Sequence, residues 1–198
     1  MEQLEVVVAR YNEDVAWLGK LNNVVVTIYN KGAADIDAIP LPNQGREAHT
    51  YLHHIIERWD NLAPVTVFTQ GNPMDHCPNF TTVVQMMADN LCDVTNKPFW
   101  NLGTWVLSID NLTCQCWRYD WFPNVLPEVA HALFGRNFNK RIYFGAGAIF
   151  AATKQGIQRH PLSFYQKAIE FFPHDPNNPC CRGYAHAFER LWPTIFEL

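Results

Sequence analysis

The sequence predicts an α/β fold in which a central, mostly parallel mixed sheet is flanked by helices. Three observations point there. Apolar, β-branched runs end in polar clusters, first at Leu4-Glu5-Val6-Val7-Val8-Ala9 before Arg10-Tyr11-Asn12-Glu13-Asp14, then at Val24 to Tyr29 before Asn30-Lys31-Gly32. Such near-continuous apolar strands are buried on both faces. Between them, apolar residues recur at three- and four-residue spacing, the helical period. The resulting β-α-β-α-β-α order implies right-handed crossovers and a parallel sheet.

The elements follow in order. Val15, Trp17, Leu18 and Leu21 predict a short helix after the first strand, capped by Asn12 or Asp14. The second strand covers 24–29. A loop containing Pro40, Pro42 and Gly45 leads to a longer helix on which Ala48, Tyr51, Leu52, Ile55, Ile56 and Trp59 share a face. Arg46, Glu47, His53, Glu57 and Arg58 are expected on its other faces. Val65 to Thr69 forms the third strand, followed by Gln70-Gly71-Asn72-Pro73 and a helix around 80–91. Residues 105–109 read as a strand and 126–134 as a helix. The run Tyr143 to Ala151 reads as one strand interrupted by glycines, where something approaches the backbone closely. Pro161 suits the first turn of a helix to Phe172, and an amphipathic helix at 183–196 closes the chain. No repeat or linker divides the 198 residues, so residues 1–198 are expected to form a single domain.

Composition narrows the function. With 48% hydrophobic and 17% charged residues the chain is globular rather than disordered. A formal net charge of −4 argues against broad nucleic-acid binding, which needs a basic face to neutralise phosphates. The 14% aromatic content, with seven Trp, implies a dense aromatic core or stacking surfaces for rings. No segment is long and apolar enough to span a bilayer, and no signal-peptide pattern opens the chain, so a soluble, cytoplasmic protein is expected. The six cysteines lack zinc-ribbon spacing and read as free thiols.

In open α/β sheets ligands bind outside the carboxyl ends of the strands, which singles out the polar clusters there. Arg10 to Asp14 offers a ring to stack on, donors and acceptors for a base edge, and a cation for phosphate, but Asn12 or Asp14 could equally serve as a helix cap. Asn43-Gln44-Gly45-Arg46-Glu47 stands at a helix start, either as a phosphate cradle or a plain cap. His49 and His53, four apart on that helix, read as a solvated face rather than metal ligands. Asp75 and His76, in the loop after the third strand, could hold a divalent ion or move protons; Gly71, Asn72 and Pro73 could instead simply build a turn. His186 and Glu189, three apart on the last helix, are a base with its orienting partner or a pair facing water. Dinucleotide, P-loop and α/β-hydrolase motifs are absent from the sequence.

The segments VVVARYNEDVAWL, VVTIYNKG, NQGREAHTYLHHII, VTVFTQGNPMDH, GAGAIFA with HPLSFYQKAIEF, and GYAHAFERLWPTIF resemble a glycosyltransferase-like domain family of fungi, bacteria and large DNA viruses. That family is similar in turn to GT-A glycosyltransferases, with a single α/β domain around a mixed sheet. The resemblance implies transfer of a sugar from a UDP- or GDP-sugar to a glycan or glycoprotein acceptor, with Mn²⁺ or Mg²⁺. It sets Arg10, Tyr11, Asn12, Glu13, Lys31 and Arg46 on the nucleotide sugar, Asp75 and His76 on the metal, and Asp75, His76 and Glu189 as candidate catalytic groups. The usual D-x-D is replaced here by Thr69-Gln70-Gly71-Asn72, leaving Asp75, with Asp110 as a fallback ligand. Two other readings stand beside it: a non-catalytic carbohydrate-binding domain and a metal-dependent hydrolase.

Overall fold

Alternation along β1 (Leu4–Arg10) explains how the sheet sits in the molecule. Val7 points into one core while Val6 and Val8 point into another, as side chains of successive strand residues must. The computed structural model describes residues 4–34, 36–110, 122–135, 141–173 and 182–197. Its other strands are β2 (Val24–Asn30), β3 (Ile39–Pro40), β4 (Val65–Gln70), β5 (Phe99–Asn101), β6 (Val106–Ile109), β7 (Ile142–Gly145) and β8 (Phe150–Thr153). The helices are α1 (Arg46–Glu57), α2 (Phe80–Ala88), α3 (Phe122–Phe134), α4 (Lys154–Ile157), α5 (Leu162–Ile169) and α6 (Arg182–Glu197).

The main sheet has the order β3-β2-β1-β4-β8-β5. β1 pairs in parallel with β2 and β4, and β2 with β3, whereas β8 lies antiparallel between β4 and β5. A central, mostly parallel sheet flanked by helices is therefore present as expected. In register, Arg10 faces Asn30 and Ala9 faces Gln70, so the carboxyl ends of β1, β2 and β4 finish level. That common rim carries the polar clusters.

Helices α1, α3, α5 and α6 cover one face of the sheet. Tyr51, Phe68, Phe150, Phe188, Trp192 and Phe196 form an aromatic stack there, with ring centroids such as Phe68–Phe150 at 5.2 Å and Phe150–Trp192 at 5.5 Å. Much of the aromatic content is thus core. The other face packs Trp17, Phe80, Val84 and Val67 beneath α2 and a 3-10 turn at Ala16–Lys20. Asp14 Oδ1 accepts the Ala16 N–H at 2.8 Å, so the short helix expected there is a 3-10 turn held by Asp14.

Three expectations are corrected. The run 143–151 is two strands, because Gly147 at φ +85° and Ala148 at φ +50° turn the chain between β7 and β8. β7 pairs with β6 in a separate ribbon, and β8 enters the main sheet. The histidines of α1 do not form a solvated face: His49 and His54 are buried. His49 Nε2 lies 2.9 Å from Gln44 Nε2, and burial, reinforced by Lys31 and His53, pushes its pKa down to about 3. Pro161 caps α5 rather than entering its first turn. Cys77 and Cys92 are free thiols; Cys114, Cys116, Cys180 and Cys181 lie outside the described residues. Among the described residues no helix is long and apolar enough to cross a membrane.

Candidate functional site

The level strand ends open onto a cavity of about 370 Å³ lined by Ala9, Arg10, Tyr11, Glu13, Lys31, Asn43, Arg46, Glu47 and Gln70. Arg10 is buried, and it ties the rim together. Its Nη1 donates to Asn30 Oδ1 at 3.0 Å on the neighbouring strand, and its Nε donates to the Glu13 carbonyl at 2.9 Å. The Glu13 carboxylate accepts the N–H groups of Tyr11 at 2.7 Å and Asn12 at 3.2 Å, folding the loop after β1 into a tight turn. Gly71 permits this, since a Cβ there would come within 2.5 Å of Glu13 Oε2. Asn12 Oδ1 accepts the Ala33 N–H at 2.9 Å, which joins the loops after β1 and β2. The Tyr11 ring is left about half exposed at the mouth.

Lys31 forms the opposite wall. Its Nζ donates to the Gln44 carbonyl at 2.6 Å and to the Arg46 carbonyl, so the lysine clamps the entry to α1. Burial pushes its pKa down to about 7, with Glu47 pulling the other way. The clamped entry has an unusual backbone conformation. Gly45 at φ +59° and Arg46 at φ +48° occupy the left-handed region in succession. A non-glycine residue held there costs on the order of 1–3 kcal/mol, and such strain clusters at functional sites.

From that position the Arg46 guanidinium reaches two helices. Nε lies 3.8 Å from Glu47 Oε2 and Nη1 lies 3.4 Å from His186 Nε2 on α6. His186 Nδ1 is in turn 3.5 Å from Glu189 Oε2, which also accepts from Arg190 Nη1 at 3.1 Å. Glu189 Oε1 accepts the Gly147 N–H at 2.7 Å. The two glutamates meet opposite electrostatics. Burial pushes the Glu47 carboxyl up, Arg46 opposes this and the Glu189 charge adds to it. Burial pushes Glu189 up too, but His186, Arg190 and the Gly147 N–H outweigh it and hold that carboxyl below its usual range.

The sequence-derived residues sort clearly. Arg10, Tyr11, Glu13, Lys31 and Arg46 line one cavity, and Asn12 braces its loops. His186 and Glu189 join it through Arg46. His76 stands behind Gly147, where a Cβ would fall 2.5 Å from its ring, and 5.8 Å from the Trp105 ring. Asp75 is not brought into the cavity. It is exposed, and its Oδ1 accepts from Asn72 Nδ2 at 2.9 Å, which stabilises the turn at Pro73–Asp75. Asp110 sits on the β6–β7 ribbon, where Arg141 donates to both its oxygens at 2.7 and 3.0 Å.

Asp75 and His76 thus face different neighbours, and among the described residues no three His, Cys, Asp or Glu side chains converge to hold a metal ion. As they stand these residues do not fit a divalent cation. The Gly147 N–H and Arg190 were not singled out in the sequence, and Glu47 was marked only as a member of the helix-start cluster Asn43–Glu47, without a role of its own. Glu47 stood beside the selected Arg46, and its position near the helix start was the available signal.

Fold and site define an α/β protein whose strand-end cavity combines cations, an exposed aromatic ring and largely buried carboxylate groups. The chain belongs to the family described as protein of unknown function, DUF3431, whose model matches residues 6–198. No curated protein and no solved structure matches the chain significantly.

Proposed function

We propose that the protein is a nucleotide-sugar-dependent glycosyltransferase of GT-A-like fold, acting on a glycan or glycoprotein acceptor. The observation that carries this reading is the cavity at the level ends of β1, β2 and β4, with Arg10, Tyr11, Lys31 and Arg46 around it. Tyr11 offers a face for a base. Lys31 and Arg46 supply positive charge for a diphosphate, whose departure is the step that needs stabilisation. A sheet that is parallel except for β8 suits the mixed sheet expected of such enzymes.

The sugar end of the donor then extends toward Gly147 and Glu189, where Glu189 is the candidate base. A divalent cation belongs to the reading as a separately testable component, since Asp75 and His76 do not converge. The free thiols Cys77 and Cys92 suit a soluble, cytoplasmic enzyme.

Thermal unfolding with a panel of UDP- and GDP-sugars, with Mn²⁺ and with EDTA, tests it. A donor at a hundredfold excess over its dissociation constant stabilises the protein by about 2.7 kcal/mol. Arg46→Ala abolishes that gain. Equal melting temperatures across the panel, in both Mn²⁺ and EDTA, overturn the reading.

A further inference from the structure

Two glutamates, Glu47 and Glu189, stand near the Arg46 guanidinium and the His186 ring that it meets. They come from different helices, α1 and α6, and are linked in series through Arg46 and His186. Arg46 stands 3.8 Å from Glu47 and 3.4 Å from His186, and His186 stands 3.5 Å from Glu189. Both carboxylates are mostly buried, with side chains 14% and 15% exposed. Glu47 lines the cavity, whereas Glu189 is pinned on one oxygen by the Gly147 N–H. Bridged through Arg46 and His186 in a mostly buried wall, the two carboxyls meet different neighbours and do not ionise alike.

We propose that Glu47, on the cavity wall, and Glu189, joined to it through Arg46 and His186, are one proton-handling pair, Glu189 accepting a proton and Glu47 donating one. The proposal rests on the glycosyl-transfer reading for its chemistry. The surroundings agree with the division of labour. Glu189 has the hydrogen bond from Gly147 and the two α6 side chains His186 and Arg190, all of which favour its charged form. Glu47 loses more to burial than it regains from Arg46 and Lys31, and it feels the Glu189 charge. Paired groups pushed apart in this way mark the acid and the base of an active site.

In the transfer step the acceptor hydroxyl oxygen bonds to the anomeric carbon, and its proton passes to Glu189. The bond from that carbon to the diphosphate oxygen breaks with its electron pair on the oxygen, which takes the proton of Glu47. Exchange with water then returns a proton to Glu47 and removes one from Glu189. The charged and titratable groups facing the pair are Lys31 at the end of β2, Arg46 and Tyr51 on α1, and His186 and Arg190 on α6.

Two measurements test the pair. The carboxyl carbons are titrated by NMR in the intact protein, with E47Q and E189Q used to assign them. Glu47 titrates above the ordinary carboxylate range and Glu189 below it, and E189Q moves the Glu47 midpoint down. The second measurement is nucleotide release from a bound UDP- or GDP-sugar, with water as acceptor, across pH. E47Q and E189Q keep donor binding by thermal shift and lose on the order of 10²–10⁴-fold in kcat. E189Q loses the acidic limb of the profile and E47Q the alkaline limb. An unmoved Glu47 midpoint in E189Q overturns the pair, as does wild-type turnover in either variant. A protein that binds no nucleotide sugar instead removes the transfer reading, and the carboxyl titration then decides the pair by itself.

Discussion

Gly147 is where backbone conformation and site chemistry meet most closely. Its φ of +85° suits glycine, its N–H holds Glu189, and its missing Cβ leaves room for the His76 ring. Gly147→Ala therefore costs about 1–3 kcal/mol of stability through left-handed strain and displaces His76. Chemical denaturation measures the loss, and turnover under the proposed transfer reading falls with it. Lys31 gives a second test at this scale. Its folded pKa of about 7 lies below its ordinary 10.5, so between those values the unfolded chain binds more protons. Stability then rises with pH across that window, as the cost of burying the ammonium fades. Lys31→Met removes this part of the rise, which denaturant titrations at several pH values detect. Anion affinity moves the opposite way, falling above pH about 7 as Nζ loses its charge.

Among the elements, β1, β2, β4 and α1 were legible because each keeps one hydrophobic period over several residues. β3 and β5 were not, at two and three residues long. The apolar run 143–151 concealed a turn, since residue type does not reveal that Ala148 also adopts a positive φ. The site was half legible. Arg10 to Glu13, Lys31 and Arg46 were marked by their place at strand ends and a helix start, a position that survives folding. Asp75 was selected by sequence proximity to β4, but the turn at Pro73–Asp75 directs it to Asn72 instead. Glu47 and His49 were taken for outward residues because periodicity ranks faces by apolar content and cannot see polar groups satisfying one another inside. At this scale Phe150, which opens β8, is a sensitive point. Phe150 packs on Tyr51, Phe68, Phe99, Trp192 and Phe196, with centroids at 5.2–5.6 Å. Phe150→Ala is expected to cost about 3–5 kcal/mol, measured as a lower denaturation midpoint at unchanged slope.

At the level of the whole molecule, a buried polar chain couples the sheet to α1. Thr27 Oγ1 donates to Glu5 Oε1 at 2.7 Å, His54 Nε2 lies 3.6 Å from Glu5 Oε2, and Tyr29 Oη lies 3.2 Å from His54 Nδ1. Burial raises the Glu5 carboxyl, but His54, Thr27 and Arg58 together bring it below its ordinary value. The folded state therefore binds this proton less readily than the unfolded chain. The stability so gained is present above the ordinary carboxylate range and is lost as pH falls through the folded value. Acid unfolding followed by circular dichroism is expected to begin at higher pH in His54→Ala, where Glu5 loses its partner.

The exposed indole of Trp105 has one further use. It stands 58% exposed beside His76, whereas Trp17 and Trp192 are sealed in the two cores. Iodide in solution quenches an accessible indole and spares sealed ones, so part of the intrinsic fluorescence reports on the ground just behind Gly147. The protein carries its own optical reporter there, readable without a label.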